Sequence, residues 1–319
     1  MTTAPTARWL GGRSVGRTAD RAFRWATLLA ALAVVAVIVL LGIQLLDSSV
    51  LTWQTFGLGF ITGLTWDPVA SIYGALPYIV GTLLSSLIAL VIATPIGILT
   101  AIFLSEVASP RVATPLTFMI ELLAAIPSVV FGLWGVFVLA PFLRVTVEAW
   151  ISSTLGFIPF LGGPVFGIGL FTAGVILAIM ILPTIVSIAR EVIRSVPDSQ
   201  REAMLALGAT RWEVITKAVL PFARSGIVGA IILGLGRALG ETLAVTMVIG
   251  NGQAIPTHLF DQAQTIASKI ATTFNEATIG IQTSSLIALG LILLVITISL
   301  NVLARLLVWR VTSPSGAES

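Results

Sequence analysis

Six long apolar runs, near residues 25–46, 76–104, 112–140, 164–189, 222–250 and 283–307, constrain this chain more than any other feature. A helix needs roughly 20 apolar residues to cross the ~30 Å hydrocarbon core of a bilayer. In lipid the backbone must satisfy its own hydrogen bonds, which runs of this length do by forming helices. Only 10% of the residues are charged and the mean hydropathy is +1.06, against about 25% charged in a soluble domain. The chain is therefore read as an all-α integral membrane protein with six transmembrane helices.

Several chemistries are excluded early. With no cysteine and one histidine, His258, disulfides, thiolate catalysis and histidine metal clusters are ruled out. The basic N-terminal region (Arg8, Arg13, Arg17, Arg21, Arg24) is long and no small-residue cleavage pattern ends the apolar run after it, unlike a cleaved signal peptide. No GxxxxGK[ST] loop is present, so the chain has no cradle for nucleotide phosphates of its own.

Orientation follows from charge. An N-terminus placed inside puts all of the 17 lysines and arginines on the cytoplasmic side except Arg144, Lys269 and Arg237. The positive-inside rule then predicts both termini in the cytoplasm. The outer segments become 47–75, 141–163 and 251–282, with Trp53, Trp66 and Trp150 at interfacial positions. Pro95, Pro127 and Pro183 fall inside spans, where each is expected to kink its helix. No internal repeat is visible, so a two-fold pathway requires a second subunit.

The cytoplasmic segment 190–221 carries a readable elbow. Ser199-x-x-Glu202 and Thr210-x-x-Glu213 are both capping-box patterns. Gly208 between them suits a left-handed helix end. Pro221 sits near the start of the next span. Two short helices joined at a glycine are predicted, either as a solvated connector or as a docking element.

Within the fifth run, Arg237 and Glu241 stand at i and i+4 and are expected to share a helix face. A charge at the bilayer centre costs roughly 2.5–3.5 kcal/mol on insertion scales, so such residues face a partner or an aqueous path. The pair is either a structural salt bridge or an arginine awaiting an anion with glutamate as its resting counter-ion. Gly234, Gly236 and Gly240 allow close helix approach and leave room beside the arginine. Glu121, in the third run, is a further candidate for which snorkelling or packing is the plainer role. Ser128, beside Pro127, either caps disrupted backbone or lines the path.

Glu202-Ala203, Gly208 and Leu220-Pro221 resemble the EAA signature of ABC-importer permeases, with Met204 and Ala218 departing from the usual residues. ELLAAIPSVVFGLWG (121–135) and GRALGETLAV (236–245) further resemble the PstC-type permease subunits of bacterial phosphate ABC transporters. The resemblance covers roughly 76–308. It implies the type I (MetI-like) ABC-importer transmembrane fold, with Glu202, Ala203, Leu207, Gly208 and Arg211 in a helix that docks on an ATPase. It also implies a pathway role for the charged pair Arg237 and Glu241, beside which Glu121 and Ser128 are candidates from their own positions. The implied partners are a PstA-type permease, a PstB-type ATPase dimer that binds the ATP, and a PstS-type phosphate-binding protein. No cofactor is expected in this chain, which is a transport subunit rather than an enzyme, located in the bacterial cytoplasmic (inner) membrane.

The expected organisation is a basic tail (1–24), a first helix with its outer loop (25–75), a permease domain (76–310) containing the coupling helix (199–213), and a C-terminal tail (311–319). An arginine suits any oxyanion, so sulfate, molybdate or phosphonate permeases and a PstA-type assignment remain open. A secondary transporter or channel is the alternative of another class, opposed by the elbow and the missing repeat.

Overall fold

The computed structural model describes residues 13–312, with side-chain surroundings for 19–306. Residues 1–12 of the expected basic tail and 313–319 of the C-terminal tail lie outside the described residues. Among the described residues, six helical stretches are long and apolar enough to cross a membrane: Ala19–Ser48, Leu76–Val107, Ser128–Leu155, Leu170–Arg194, Arg211–Gly240 and Ile281–Leu306.

The chain divides into two compact units after Ser48. The first contains α1 (Arg13–Ser48), which begins within the basic segment. The second opens with α2 (Val50–Phe56), α3 (Gly59–Thr62) and a small antiparallel hairpin, β1 (Trp66–Asp67) and β2 (Ile72–Tyr73), with Trp66 opposite Tyr73. Trp66 was expected at an interface. It is instead 5% exposed and meets Tyr73 and Tyr78 edge-to-face, because the hairpin folds it onto the start of α4 (Leu76–Ile102). α4 ends in a π-helical turn, Phe103–Val107.

The third span departs from the reading of the sequence. A span over 112–140 was expected, but α5 covers Pro110–Ala125 and the chain extends at Ile126 and Pro127. Helix resumes through α6 (Ser128–Trp134), α7 (Ala140–Leu143) and α8 (Ala149–Leu155), joined by π-helical turns at Gly135–Leu139 and Arg144–Glu148. Proline disfavours helix at the residue before it, so Ile126 takes an extended ψ of 127°. Pro127 is thus a boundary and not an interior kink. α5 is about 24 Å long at 1.5 Å per residue, short of a full crossing. The expected outer segment 141–163 is helical as far as Leu155.

α9 (Leu170–Arg194) is the central span: 61% of its most apolar window is buried, against 28–33% for the other spans of this unit. It contains the buried Pro183, whereas Pro95 in α4 is exposed. Glycines let its neighbours approach. A Cβ built on Gly97 of α4 would lie 2.8 Å from Ile185, and one on Gly174 of α9 would lie 2.4 Å from Ile88. The core around them is aliphatic, with Ile176, Leu177, Ile181 and Ile185 essentially inaccessible.

After α9 come α10 (Asp198–Ala206), α11 (Arg211–Val214), a π-helical turn (Ile215–Val219), α12 (Leu220–Gly240) and α13 (Leu243–Val248). The second elbow helix is therefore not free-standing. It runs into the fifth span through the π turn, just ahead of Pro221. α14 (Ile266–Thr273) and α15 (Ile281–Thr312) complete the chain. Thr52 binds α15 by donating its hydroxyl to the Ser284 oxygen at 2.9 Å.

Candidate functional site

Two stretches on one helical line gather the residues of interest: the elbow and the end of α12. At the elbow, Pro197 occupies the cap position of α10 and makes no side-chain cap bond. This starts the helix one residue before Ser199, so the Ser199–Glu202 box does not form. Ser199 sits inside the first turn, where its hydroxyl is not placed to cap. Glu202 and Ala203 are exposed.

The far end of α10 forms as its glycine dictates. Gly208 has φ +81°. Its N–H donates to the Leu205 carbonyl at 2.9 Å, and Ala209 N–H donates to the Met204 carbonyl at 3.1 Å. That pair of bonds is the Schellman arrangement. Thr210 then starts α11 with a complete capping box. Glu213 N–H donates to Thr210 Oγ1 at 3.3 Å, and Thr210 N–H donates to Glu213 Oε2 at 3.0 Å. Lys217 adds an ion pair to Glu213 at 2.8 Å.

The elbow exposes apolar bulk. Leu207 is 84% exposed, Trp212 69% and Leu205 51%. Leu207 was singled out from the sequence, whereas Leu205 and Trp212 were not. Their signal was available as three large apolar residues flanking one glycine in an otherwise polar stretch. Arg211, the first residue of α11, is exposed beside them.

Along α12 the glycines divide by face. Gly226 and Gly234 pack on α9, where added Cβ atoms would lie 2.4 Å from Val192 and 3.0 Å from Ile185. Cβ atoms on Gly229, Gly236 and Gly240 would meet nothing within 4 Å. Gly234 is therefore a packing glycine, while Gly236 and Gly240 belong to an open stripe that also shows Leu233 and Arg237. Near its Gly229 end this stripe borders a cleft with Asn301 and Arg305 of α15.

Arg237 is exposed in the last turn of α12, about 20 Å along the axis from Arg224 at 1.5 Å per residue. Among the described residues it makes no ion pair and no side-chain hydrogen bond. The expected shared face with Glu241 is not formed. α12 stops at Gly240, Glu241 is extended (ψ 126°), and its Oε1 instead accepts from Ala244 N–H at 3.3 Å in the first turn of α13. The chain break thus turns Glu241 into a cap for the next helix and leaves Arg237 without its counter-ion.

α13 packs along α6. Cβ atoms on Gly132 and Gly135 would lie 2.5 Å from Met247 and 2.7 Å from Val248 respectively. The rising numbers on both helices show that they run in the same direction. The breaks before Ser128 and before Leu243 therefore lie at the same end of the pair, which brings half-buried Ser128 and Glu241 into one neighbourhood. Glu121 is exposed on α5, across the Ile126–Pro127 break.

The carboxylate that the fold does bury is another one. Glu148, 1% exposed, accepts from Gly167 N–H at 3.0 Å and from Thr172 Oγ1 at 3.2 Å, tying the helix of the third span to the start of α9. Elsewhere in the second unit, Lys269 is 5% exposed, with its ammonium 4.9 Å from the Trp66 ring centre and 5.2 Å from that of Tyr78. Burial pulls its pKa down to about 8, while the ring faces favour the charged form. Neither role was visible in the sequence, because both depend on contacts between distant segments.

A family profile described as "Binding-protein-dependent transport system inner membrane component" matches residues 93–313, a stretch containing both the elbow and the α12 break. The chain belongs to this permease family. Among its relatives, the "Phosphate transport system permease protein PstC" of Mesorhizobium japonicum is 48% identical over 292 residues, covering 89% of each chain. The protein of the same name from Pasteurella multocida is 47% identical over 272 residues, 84% of each. The PstC-type assignment read from the elbow and the two signature stretches therefore stands.

Solved structures agree on the fold of this permease. A bacterial ABC transporter importing the polysaccharide alginate matches with a TM-score of 0.60 at 19% identity, over 93% of this chain and 100% of that one. An inward-facing MetNI methionine ABC transporter matches with a TM-score of 0.52 at 21% identity, over 73% and 92%. The chain thus has the MetI-like permease fold of ABC importers and is a multi-pass membrane transport subunit.

Proposed function

We propose that this permease forms half of the translocation pathway of an ATP-driven importer of inorganic phosphate. The observation that carries the reading is Arg237, a cation without a counter-ion among the described residues, on an open, glycine-lined stripe of an apolar span. A guanidinium offers an oxyanion two parallel hydrogen bonds in place of lost hydration. The chemistry suits any tetrahedral oxyanion, and identity to PstC proteins favours phosphate. Glu241 stays with the α13 backbone until substrate arrives, or accepts a hydrogen bond from protonated phosphate. Ser128 lines the same region from α6.

The partners follow from the likeness to PstC permeases. A PstA-type permease supplies the other wall of the pathway, a PstB-type ATPase pair binds and hydrolyses ATP, and a PstS-type protein delivers phosphate from outside. The exposed elbow, with Glu202, Ala203, Leu207, Gly208 and Arg211 joined by Leu205 and Trp212, docks on the ATPase. Both termini then lie in the cytoplasm. ATP binding closes the ATPase pair and draws the elbows together, which opens the cavity outward; hydrolysis restores the inward-facing state.

Arg237→Gln in the assembled transporter is the test. Phosphate uptake should disappear while the complex stays intact in the membrane, and normal uptake would remove Arg237 from the pathway. Because the chain has no cysteine, single cysteines placed at Leu207 and Ile279 report orientation. Labelling by an impermeant maleimide from outside at Leu207, but not at Ile279, would reverse the topology.

A further inference from the structure

One guanidinium in the elbow region belongs neither to the pathway nor to the exposed docking face. Arg201 of α10 has all five of its N–H donors engaged. Nε donates to Glu106 Oε2 at 3.3 Å and Nη2 to Glu106 Oε1 at 2.7 Å. Nη2 also donates to the Ile193 carbonyl at 3.0 Å, and Nη1 to Asp198 Oδ1 at 3.2 Å and to the Val196 carbonyl. The side chains of Arg201 and Glu106 are 18% and 11% exposed. This is not the solvated kind of pair that contributes little.

Apart from Val196 in the link between α9 and α10, the acceptors belong to three elements. Glu106 lies in the π turn that closes α4, Ile193 in the last turn of α9, and Asp198 in the first turn of α10. A single side chain therefore clamps the elbow to the cytoplasmic ends of the second and fourth spans. The chain itself joins the elbow to the fourth span through residues 195–197 and to the fifth through α11 and the π turn, but α4 is no chain neighbour of the elbow. Two parallel bonds fix orientation as well as distance, and so transmit rotation as well as pull. Lysine, with three donors and no planar fork, cannot replace this set.

We propose that Arg201 and Glu106 are the positioning pair that transmits elbow displacement to α4, so that the second span moves with the fourth and fifth in each ATP cycle. The inference rests on the elbow's docking role. It adds a route by which force enters: the chain itself leads from the elbow to α9 and α12, and the Arg201–Glu106 clamp leads to α4.

The test uses the whole transporter, purified with its ATPase and reconstituted in phospholipid vesicles, with inorganic phosphate uptake and ATP hydrolysis measured on one sample. Glu106→Gln and Arg201→Lys should each keep the ATPase bound and hydrolysing. Uptake per ATP should fall by about tenfold or more, the scale of one lost charge-assisted contact. The double variant should be no worse than the poorer single, because the pair acts as a unit. Glu106→Asp, which keeps the carboxylate, should recover part of the loss. Unchanged uptake per ATP overturns the proposal, as do multiplicative losses in the double variant. So does failure of the variants to assemble with the ATPase, which would make the pair structural. Leu207→Asp separates this from the docking reading. If it leaves ATPase binding and uptake intact, docking at the elbow is wrong. If it removes the ATPase while Glu106→Gln leaves coupling intact, only the clamp is wrong.

Discussion

The two ends of the helical line from Thr210 to Val248 are finished in opposite ways. The near end is closed by its own sequence: a capping box at Thr210 and Glu213, an ion pair to Lys217, and the Schellman bonds around Gly208. The far end is left open. α12 stops at Gly240, Glu241 turns to cap α13, and Arg237 faces outward with no partner among the described residues. The difference teaches where each end gets its order. A segment whose backbone groups are satisfied locally keeps its shape under load and serves as a handle. A segment that presents a bare cation beside open glycines is completed by another molecule.

The strongest challenge to this contrast is Arg237→Gln, which should cost more than ~100-fold in phosphate uptake with no change in melting temperature, since the side chain makes no ion pair to lose. Arg237→Lys keeps the charge without the fork and should sit about tenfold below the native chain. A second contrast tests the faces of α12. Gly234→Leu forces bulk against Ile185 and should destabilise by about 1–3 kcal/mol, read by thermal melting. Gly236→Leu meets nothing within 4 Å and should leave melting unchanged while lowering uptake. If both glycines behaved alike, the division into packed and open faces would fail. At the near end, Gly208→Ala places a Cβ at φ +81° and should cost about 1 kcal/mol. Thr210→Ala removes a cap, about 1 kcal/mol or less at this exposed site, with uptake almost unchanged. A large uptake loss from Thr210→Ala would show that the handle is less self-sufficient than its bonds suggest.

What could be read in advance divides along the same line. Gly208 and the Thr210–Glu213 box were legible because the bonds they make span only a few residues. The six spans were legible because crossing a bilayer demands a length that composition reveals. The Ser199 box was misread because Pro197 starts the helix earlier, moving Ser199 out of the cap position. The third span was placed too early because the apolar run passes without a break in composition from α5 into α6; Pro127, read as a kink, is the end of α5. The Arg237–Glu241 pairing was inferred from i, i+4 spacing, which holds only in unbroken helix. The partnership of Arg201 with Glu106 lies 95 residues apart in sequence, and the burial of Glu148 and Lys269 likewise depends on chain segments that meet only after folding.

The π turn at Ile215–Val219 has a consequence for angle. A π turn holds one residue more than an α turn, and each helical residue advances the side chains by about 100°. The direction in which Arg237 points, relative to the capped start at Thr210, is therefore set by whether this turn absorbs its surplus residue. Deleting exposed Lys217 would remove the bulge and leave these directions unchanged, whereas drawing the turn into plain α-helix with all its residues kept would swing Arg237 by about a quarter of a circle. The handle would still be pulled and the helix would still cross, but its charge would face the wrong way.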